Sequence, residues 1–95
     1  MKKIVIMILV LISAQSLFSK EITAKERADS LAKAGVFLIN KGLYNEAIEV
    51  FDEAMNLDKS NIDYPYEKAL AFYQKKMYDS AIVILDSLRK LKNVN

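Results

Sequence analysis

Residues 41–58 read KGLYNEAIEVFDEAMNLD, and residues 75–92 read KKMYDSAIVILDSLRKLK. The two stretches align without a gap at a fixed offset, and six of the aligned pairs are identical, where about one match is expected by chance. The identical pairs are Lys41 and Lys75, Tyr44 and Tyr78, Ala47 and Ala81, Ile48 and Ile82, Asp52 and Asp86, and Leu57 and Leu91. Self-similarity at a fixed period predicts a stacked array of repeated units.

The apolar residues recur at helical spacing, which predicts four helices at about 24–41, 45–57, 63–76 and 79–90. Thr23 and Glu26 have the spacing of a capping box at the start of the first helix. Gly42 follows that helix at the position where a left-handed residue ends it. Asp63 is predicted to cap the third helix, with Pro65 in its first turn.

The composition favours helices and argues against the common catalytic chemistries. The chain has 95 residues, which allows one domain, and only two Gly and one Pro. It has no His and no Cys, so it lacks the commonest metal ligand, the commonest general base, a thiolate nucleophile and any disulfide. We therefore expect no metal, no cofactor and no catalytic residue, and we predict that the protein is not an enzyme.

Residues 1–19 have the three parts of a secretory signal peptide. Lys2 and Lys3 precede an unbroken apolar run at 4–12, and small and polar residues follow, with cleavage after Ser16 or Ser19. The alternatives are a membrane anchor through residues 4–18, although this segment is short for a bilayer, and a buried core helix. Removing the two lysines from the 14 basic residues leaves 12 against 12 acidic ones, a neutral chain. The sequence thus predicts an exported protein, periplasmic or secreted, in which any membrane contact is through an uncleaved N-terminal segment.

The repeat resembles the tetratricopeptide repeat (TPR) family, whose 34-residue pattern is W-x2-L-G-x2-Y, then A-x3-F, then P. Both units keep its spacing: Leu31-x2-Ala34-Gly35-x2-Leu38 with Ala47-x3-Phe51-x2-Ala54, and Pro65-x2-Lys68-Ala69-x2-Phe72 with Ala81-x3-Leu85-x2-Leu88. The resemblance implies an all-α fold of antiparallel helix pairs stacked as a short solenoid. The helical domain is residues 20–95, with repeat one at about 28–61 and repeat two at about 62–95.

The second unit departs further from the family pattern than the first. Leu31 and Pro65 stand at the Trp position, and Lys59 and Asn93 replace the closing Pro. Lys68 lies where an apolar residue is usual. The second unit is thus the weaker match, and we expect its first helix to start late.

The small and aromatic positions of the repeat are predicted to pack the helices together. Small side chains allow the paired helices to approach closely, and the larger ones fill the space between units. The predicted packing residues are Gly35, Leu38, Tyr44, Ala47, Phe51, Ala54, Ala69, Phe72, Tyr78, Ala81, Leu85 and Leu88.

In the TPR family, partners bind along the concave surface formed by the first helix of each pair. The resemblance places here a strip of Val36, Ile39, Asn40, Tyr66, Leu70, Tyr73 and Gln74. Some family members hold a C-terminal carboxylate with Asn residues, but Val36 and Leu70 stand at those positions, so no such clamp is expected. The alternative is that the strip packs against further helices or against a second copy of the chain.

These features predict an exported module that binds another protein or peptide, as an interaction domain or assembly adaptor in the cell envelope. The alternatives are a self-associating structural subunit, a fragment of a longer repeat protein, or an enzyme that uses carboxylates or tyrosines alone. We expect no nucleic-acid binding, because the chain after residue 19 is neutral. The last helix has more apolar surface than one helix pair can cover, which predicts contact with another chain: Ile82, Val83, Ile84, Leu85, Leu88 and Leu91.

Overall fold

A computed structural model describes residues 22–92 and shows an all-α fold, as predicted. Four helices follow one another along the chain: α1 (Ala24–Asn40), α2 (Tyr44–Leu57), α3 (Asp63–Gln74) and α4 (Tyr78–Lys92). Each helix packs against the next, and α1 also contacts α3, so α1–α2 and α3–α4 form two stacked helical hairpins.

Local side-chain contacts account for the helix starts. The Thr23 hydroxyl accepts a hydrogen bond from the Glu26 amide at 3.1 Å, as the predicted capping box requires. The prediction for Asp63 is wrong in detail, because Asp63 is already the first residue of α3 and Asn61 Oδ1 accepts a hydrogen bond from its amide at 2.9 Å. Helix α3 begins at Asp63, the predicted boundary, and has 12 residues where α1 has 17.

The two hairpin turns are the same motif, repeated at equivalent positions. The Gly42 and Leu43 amides donate to the carbonyls of Ile39 and Leu38, and the Lys76 and Met77 amides donate to those of Tyr73 and Phe72. This is the Schellman pattern, which needs a left-handed residue after the helix. Gly42 has a φ of +80° and Lys76 a φ of +70°, so Lys76 takes the glycine position of the second repeat.

The matched turns predict stability changes of opposite sign. Lys76→Gly relieves the cost that a Cβ imposes in the left-handed region and is expected to stabilise the fold by about 0.5–1 kcal/mol. Gly42→Ala is expected to destabilise it by about 1 kcal/mol. A Cβ at Gly42 meets no atom within 4 Å, so that loss comes from the backbone alone. Urea unfolding measures both, and a loss of stability in Lys76→Gly would contradict the equivalence of the turns.

The core lies between α1, α2 and α3. Gly35 lies against the ring of Phe51, and the closeness of this contact explains why the position lacks a side chain. The buried side chains of the cluster are Ala28, Ile39, Ala47, Phe51, Ala54, Tyr64 and Ala71. In the second hairpin, Ala69 and Ala81 are buried where the helices pack together.

Most of the predicted packing residues are buried or half-buried. Gly35, Ala47, Phe51, Ala54, Ala69 and Ala81 are buried, and Leu38, Tyr44, Phe72 and Leu88 are half-buried. Tyr78 and Leu85 differ from the prediction, since both side chains are exposed. The physical reason is that, within residues 22–92, no helix packs on α4 as α3 packs on α2.

The described helices also lack the combination of length and apolar character that a membrane-spanning helix needs. Between residues 22 and 92, none of them is long and apolar enough to cross a membrane. The predicted signal peptide at 1–19, its cleavage points and the alternative anchor at 4–18 lie outside the described residues.

Candidate functional site

The residues of the predicted partner-binding strip differ in how far their side chains are exposed. Val36, Asn40, Tyr66, Tyr73 and Gln74 are exposed, and Leu70 is half-buried. The prediction for Ile39 is wrong: its side chain is only 5% exposed and belongs to the core cluster.

The reason for this difference is the contact between α1 and α3. Ala32 and Ile39 of α1 pack with the core, in the cluster to which Tyr64 and Ala71 of α3 belong. The equivalent positions of the second repeat, Tyr66 and Tyr73, are 56% and 59% exposed. The larger aromatic surface therefore lies on the second hairpin.

Tyr66 lines an open groove between the start of α3 and the end of α4. The groove has a volume of about 560 Å³, and we call it the end groove. It is lined by Ile62, Asp63, Tyr66, Leu85, Leu88, Arg89 and Leu91. A smaller hollow shares Tyr66 and Leu85 with it and reaches along α3 to Leu70 and Tyr73. The side of the second hairpin is thus a continuous apolar surface with tyrosine hydroxyls and two charges.

Tyr78 orients one of the tyrosines of this surface. The rings of Tyr73 and Tyr78 meet edge to face, with centroids 5.4 Å apart and an angle of 64° between their planes. Such pairs contribute about 0.5–1.5 kcal/mol beyond the area that they bury. Tyr78 therefore holds Tyr73 in place at the surface instead of filling space between repeat units.

The two hairpins are also joined by polar contacts between α2 and the second hairpin. Lys68 Nζ lies 2.6 Å from Asp52 Oδ1 and 6.0 Å from the centre of the Phe72 ring. Lys75 Nζ donates a hydrogen bond to Asn45 Oδ1. The lysine at a usually apolar position of the repeat is thus half-buried against a carboxylate and a ring, which explains how the fold accommodates it.

The ion pair gives a second prediction. Asp52→Asn leaves the half-buried Lys68 ammonium without its carboxylate and is expected to destabilise the fold by about 1 kcal/mol. The matched control is Asp86→Asn at the equivalent position of the second repeat. Asp86 pairs within its own helix with Arg89 at 2.8 Å and Lys90 at 3.5 Å, so a smaller loss is expected. Urea unfolding compares the two, and equal losses would contradict a special role for the Lys68 pair.

Two titrating groups of this region are each held in one protonation state at neutral pH. Burial, with Asp29 and Asp58 nearby, raises the pKa of Tyr64, so its hydroxyl stays protonated at neutral pH. The hydrogen bond from Arg89 lowers the pKa of Asp86 and keeps it a carboxylate. Among residues 22–92, no group of His, Cys, Asp or Glu is arranged to hold a metal ion. The chemistry that the surface offers is apolar and aromatic contact.

Sequence reasoning missed three residues that shape this region: Ile62, Tyr64 and Ala71. Tyr64 and Ala71 are spaced seven apart on α3 and lie on one face, which joins the core cluster of the first hairpin. That spacing is visible in the sequence, but the family pattern assigns its large packing residue to position 65, a proline, and not to the neighbouring Tyr64. Ile62 directly precedes α3, where periodicity gives no signal.

The comparisons with known proteins give no relative for this chain. No protein-family model matches it, and no curated protein or solved structure is significantly similar to it. The likeness to the TPR pattern therefore depends on the spacing of residues in the two repeats.

Proposed function

We propose that this protein is an exported TPR-like interaction module that binds an apolar helix of another protein. The observation that carries the proposal is the exposure of Tyr66 and Tyr73 beside the end groove, although the equivalent residues of the first hairpin, Ala32 and Ile39, are half-buried and buried. Exposed apolar surface lined with tyrosines is the common composition of the centre of a protein interface.

The repeat itself indicates that the ligand is a helix. Each apolar or basic residue that lines the end groove has an equivalent in the first hairpin. These equivalents belong to the core cluster or pack against it, on the side where α3 lies: Ala28, Ala32, Phe51, Ala54, Met55 and Leu57. The first hairpin uses these positions to pack against helix α3. In the second hairpin the same repeat positions are exposed or half-buried, so they form a surface on which another helix can pack. An amphipathic helix lying in an apolar groove is a recurring form of peptide recognition.

Binding agrees better than catalysis with the chemistry of this surface. The end groove has Asp63 and Arg89 as its charged groups, and the rest of its lining provides apolar contact. Charges of both signs also occur along the hairpins, so phosphate backbones find little net attraction. We therefore propose that the activity is association with another protein.

The export part of the proposal is supported by the signal-peptide pattern of residues 1–19. The intact mass of the chain isolated from its own cells tests it. We expect a chain that begins after Ser16 or Ser19 and fractionates outside the cytoplasm. A chain that keeps residues 1–19 and remains in the cytoplasm would contradict export.

Tyrosine removal tests the binding surface. In the full chain, Tyr66→Ala combined with Tyr73→Ala removes exposed rings, so the circular dichroism spectrum should be unchanged. We expect the amount of partner protein recovered after cross-linking in cells to fall at least tenfold, because interface tyrosines contribute about 2 kcal/mol or more each. The control is Glu49→Ala with Glu53→Ala on the exposed face of α2. Equal recovery with both double variants would overturn the proposal.

A further inference from the structure

The internal junction between the hairpins provides a template for the two end faces that residues 22–92 leave exposed. Helix α3 meets α2 with one face, which contains Tyr64 and Ala71 in the core and Lys68 in an ion pair. Lys75, directly after α3, donates a hydrogen bond to Asn45 of α2. The same face of α1, one repeat earlier, contains Ser30, Ala34 and Phe37, with Lys41 directly after the helix, and all four residues are exposed. Helix α1 thus presents to solvent the face that α3 uses for packing.

Helix α4 presents the complementary face. Ile82 stands where Ile48 does in α2, and Val83 stands where Glu49 does. Ile48 packs against the core cluster, whereas Ile82 and Val83 are largely exposed. Ile82 therefore belongs to the equivalent of the face that α2 packs at the junction, whereas Val83, like Glu49, lies outside that contact.

The charges at these two ends are opposite. At the internal junction, the Lys75 ammonium donates to the Asn45 side chain. The equivalent residues at the free ends are Lys41 and Asp79, both exposed. A second copy placed in the internal register would bring a lysine of one chain to a carboxylate of the other, which strengthens the contact that Lys75 makes with an amide.

The side-chain sizes at the end faces differ from those of the junction at several positions. Phe51 of the junction corresponds to the smaller Leu85, while Ala71 corresponds to the larger Phe37. Phe37 is 59% exposed and has the Lys41 ammonium 5.4 Å from its ring centre, so the aromatic and the cation form one patch. Ser30 stands where Tyr64 does, so the two end faces together lack two aromatics of the junction and gain one.

The ion pair between Lys68 and Asp52 at the junction has no equivalent at the end faces. Its absence leaves no charge unpaired. Ala34 stands where Lys68 would be needed to meet Asp86. Asp86 is already paired with Arg89 and Lys90 on its own helix. The contact between two copies therefore needs no cation at this point.

We propose that the helix bound by the end groove is α1 of a second copy of this chain, stacked head to tail on α4 in the register that α3 uses on α2. The inference rests on the proposed function, since it names the partner of the same surface. Because the contact joins two different faces, each assembly keeps one free α1 face and one free α4 face. The average mass should then rise continuously with concentration, whereas a closed dimer would level off at twice the chain mass.

The absence of cysteine from the sequence makes the register directly testable. One full-length chain carries Lys41→Cys and one tag, and another carries Asp79→Cys and a second tag. The two are expressed together and treated with a short bis-maleimide. A chain with both Asn45→Cys and Lys75→Cys provides the positive control within one molecule, and Lys33→Cys on another face of α1 replaces Lys41→Cys in the negative control.

We expect a cross-linked product carrying both tags with Lys41→Cys and Asp79→Cys, at a yield near that of the internal control. The yield should fall to that of the Lys33→Cys control when Phe37→Glu is added to the Lys41→Cys chain. No mixed product, an equal yield with Lys33→Cys, or a product joining two Asp79→Cys chains would each overturn the inference. If the mixed product is absent while the tyrosine variants still lose a different protein, only the identity of the partner is wrong. If both experiments fail, so does the proposed function.

Discussion

Phe51→Ala is expected to destabilise the fold by about 3–5 kcal/mol, the largest effect of any single substitution proposed for this chain. The Phe51 side chain is 0% exposed, and it is the largest fully buried side chain in the part of the chain that the structure describes. Its removal loses the transfer free energy of the ring and leaves a cavity between α1, α2 and α3. A domain of this size rarely has more than about 3–5 kcal/mol of stability, so the variant should be largely unfolded at room temperature.

Circular dichroism during urea unfolding measures this effect, and the repeat supplies the control. Leu85 occupies the equivalent position in α4 but is 40% exposed. Leu85→Ala should therefore destabilise the fold by about 1 kcal/mol or less, because fewer neighbours surround its side chain. Similar losses at the two positions would mean that the core is not concentrated in the first hairpin.

Gly35→Ala is expected to destabilise the fold by up to about 2 kcal/mol, although alanine is the better helix former. A Cβ at this position would lie 2.6 Å from Phe51 Cζ and 2.7 Å from Phe51 Cε2. Overpacking of this kind costs about 1–3 kcal/mol, against a gain in helix propensity of about 1 kcal/mol. The ring is fully buried, so it cannot rotate away into solvent.

The second hairpin shows how the clash is avoided when the glycine is absent. Ala69 is the equivalent of Gly35 in the second repeat, and its neighbour at the equivalent of Phe51 is Leu85, which lacks the ring atoms. In a Phe51→Leu background, Gly35→Ala should therefore become neutral or stabilising, by up to about 1 kcal/mol. Urea unfolding of the four chains of this double-mutant cycle provides the measurement. A loss that is the same in both backgrounds would show that Phe51 is not the cause.

The helices and the hairpin turns were predictable from the sequence because local signals and the repeat agree. Thr23 and Gly42 mark the limits of α1, and the repeat period places the remaining elements. The left-handed Lys76 could not be predicted from its residue type, because lysine rarely takes that conformation. Only its equivalence to Gly42 indicates it, and the backbone there is set by the hairpin as a whole.

The candidate site was less predictable, because burial depends on which helices lie beside each position. Ile39 and Tyr73 are equivalent in the repeat, yet one is buried by α3 and the other is exposed. The family pattern assigns both to the same strip and contains no information about neighbouring units. The exposure of Tyr78 and Leu85 has the same cause, and so does the end groove.

The measurement that tests the central claim most directly is photo-cross-linking from position 66 in living cells. A photoreactive phenylalanine analogue replaces Tyr66 in the full-length chain, and a second chain carries it at Glu53, on the outer face of α2. We predict a cross-linked product of discrete mass from position 66 and none from position 53. A product from neither position, or the same products from both, would contradict the claim that the second hairpin is a protein-binding surface.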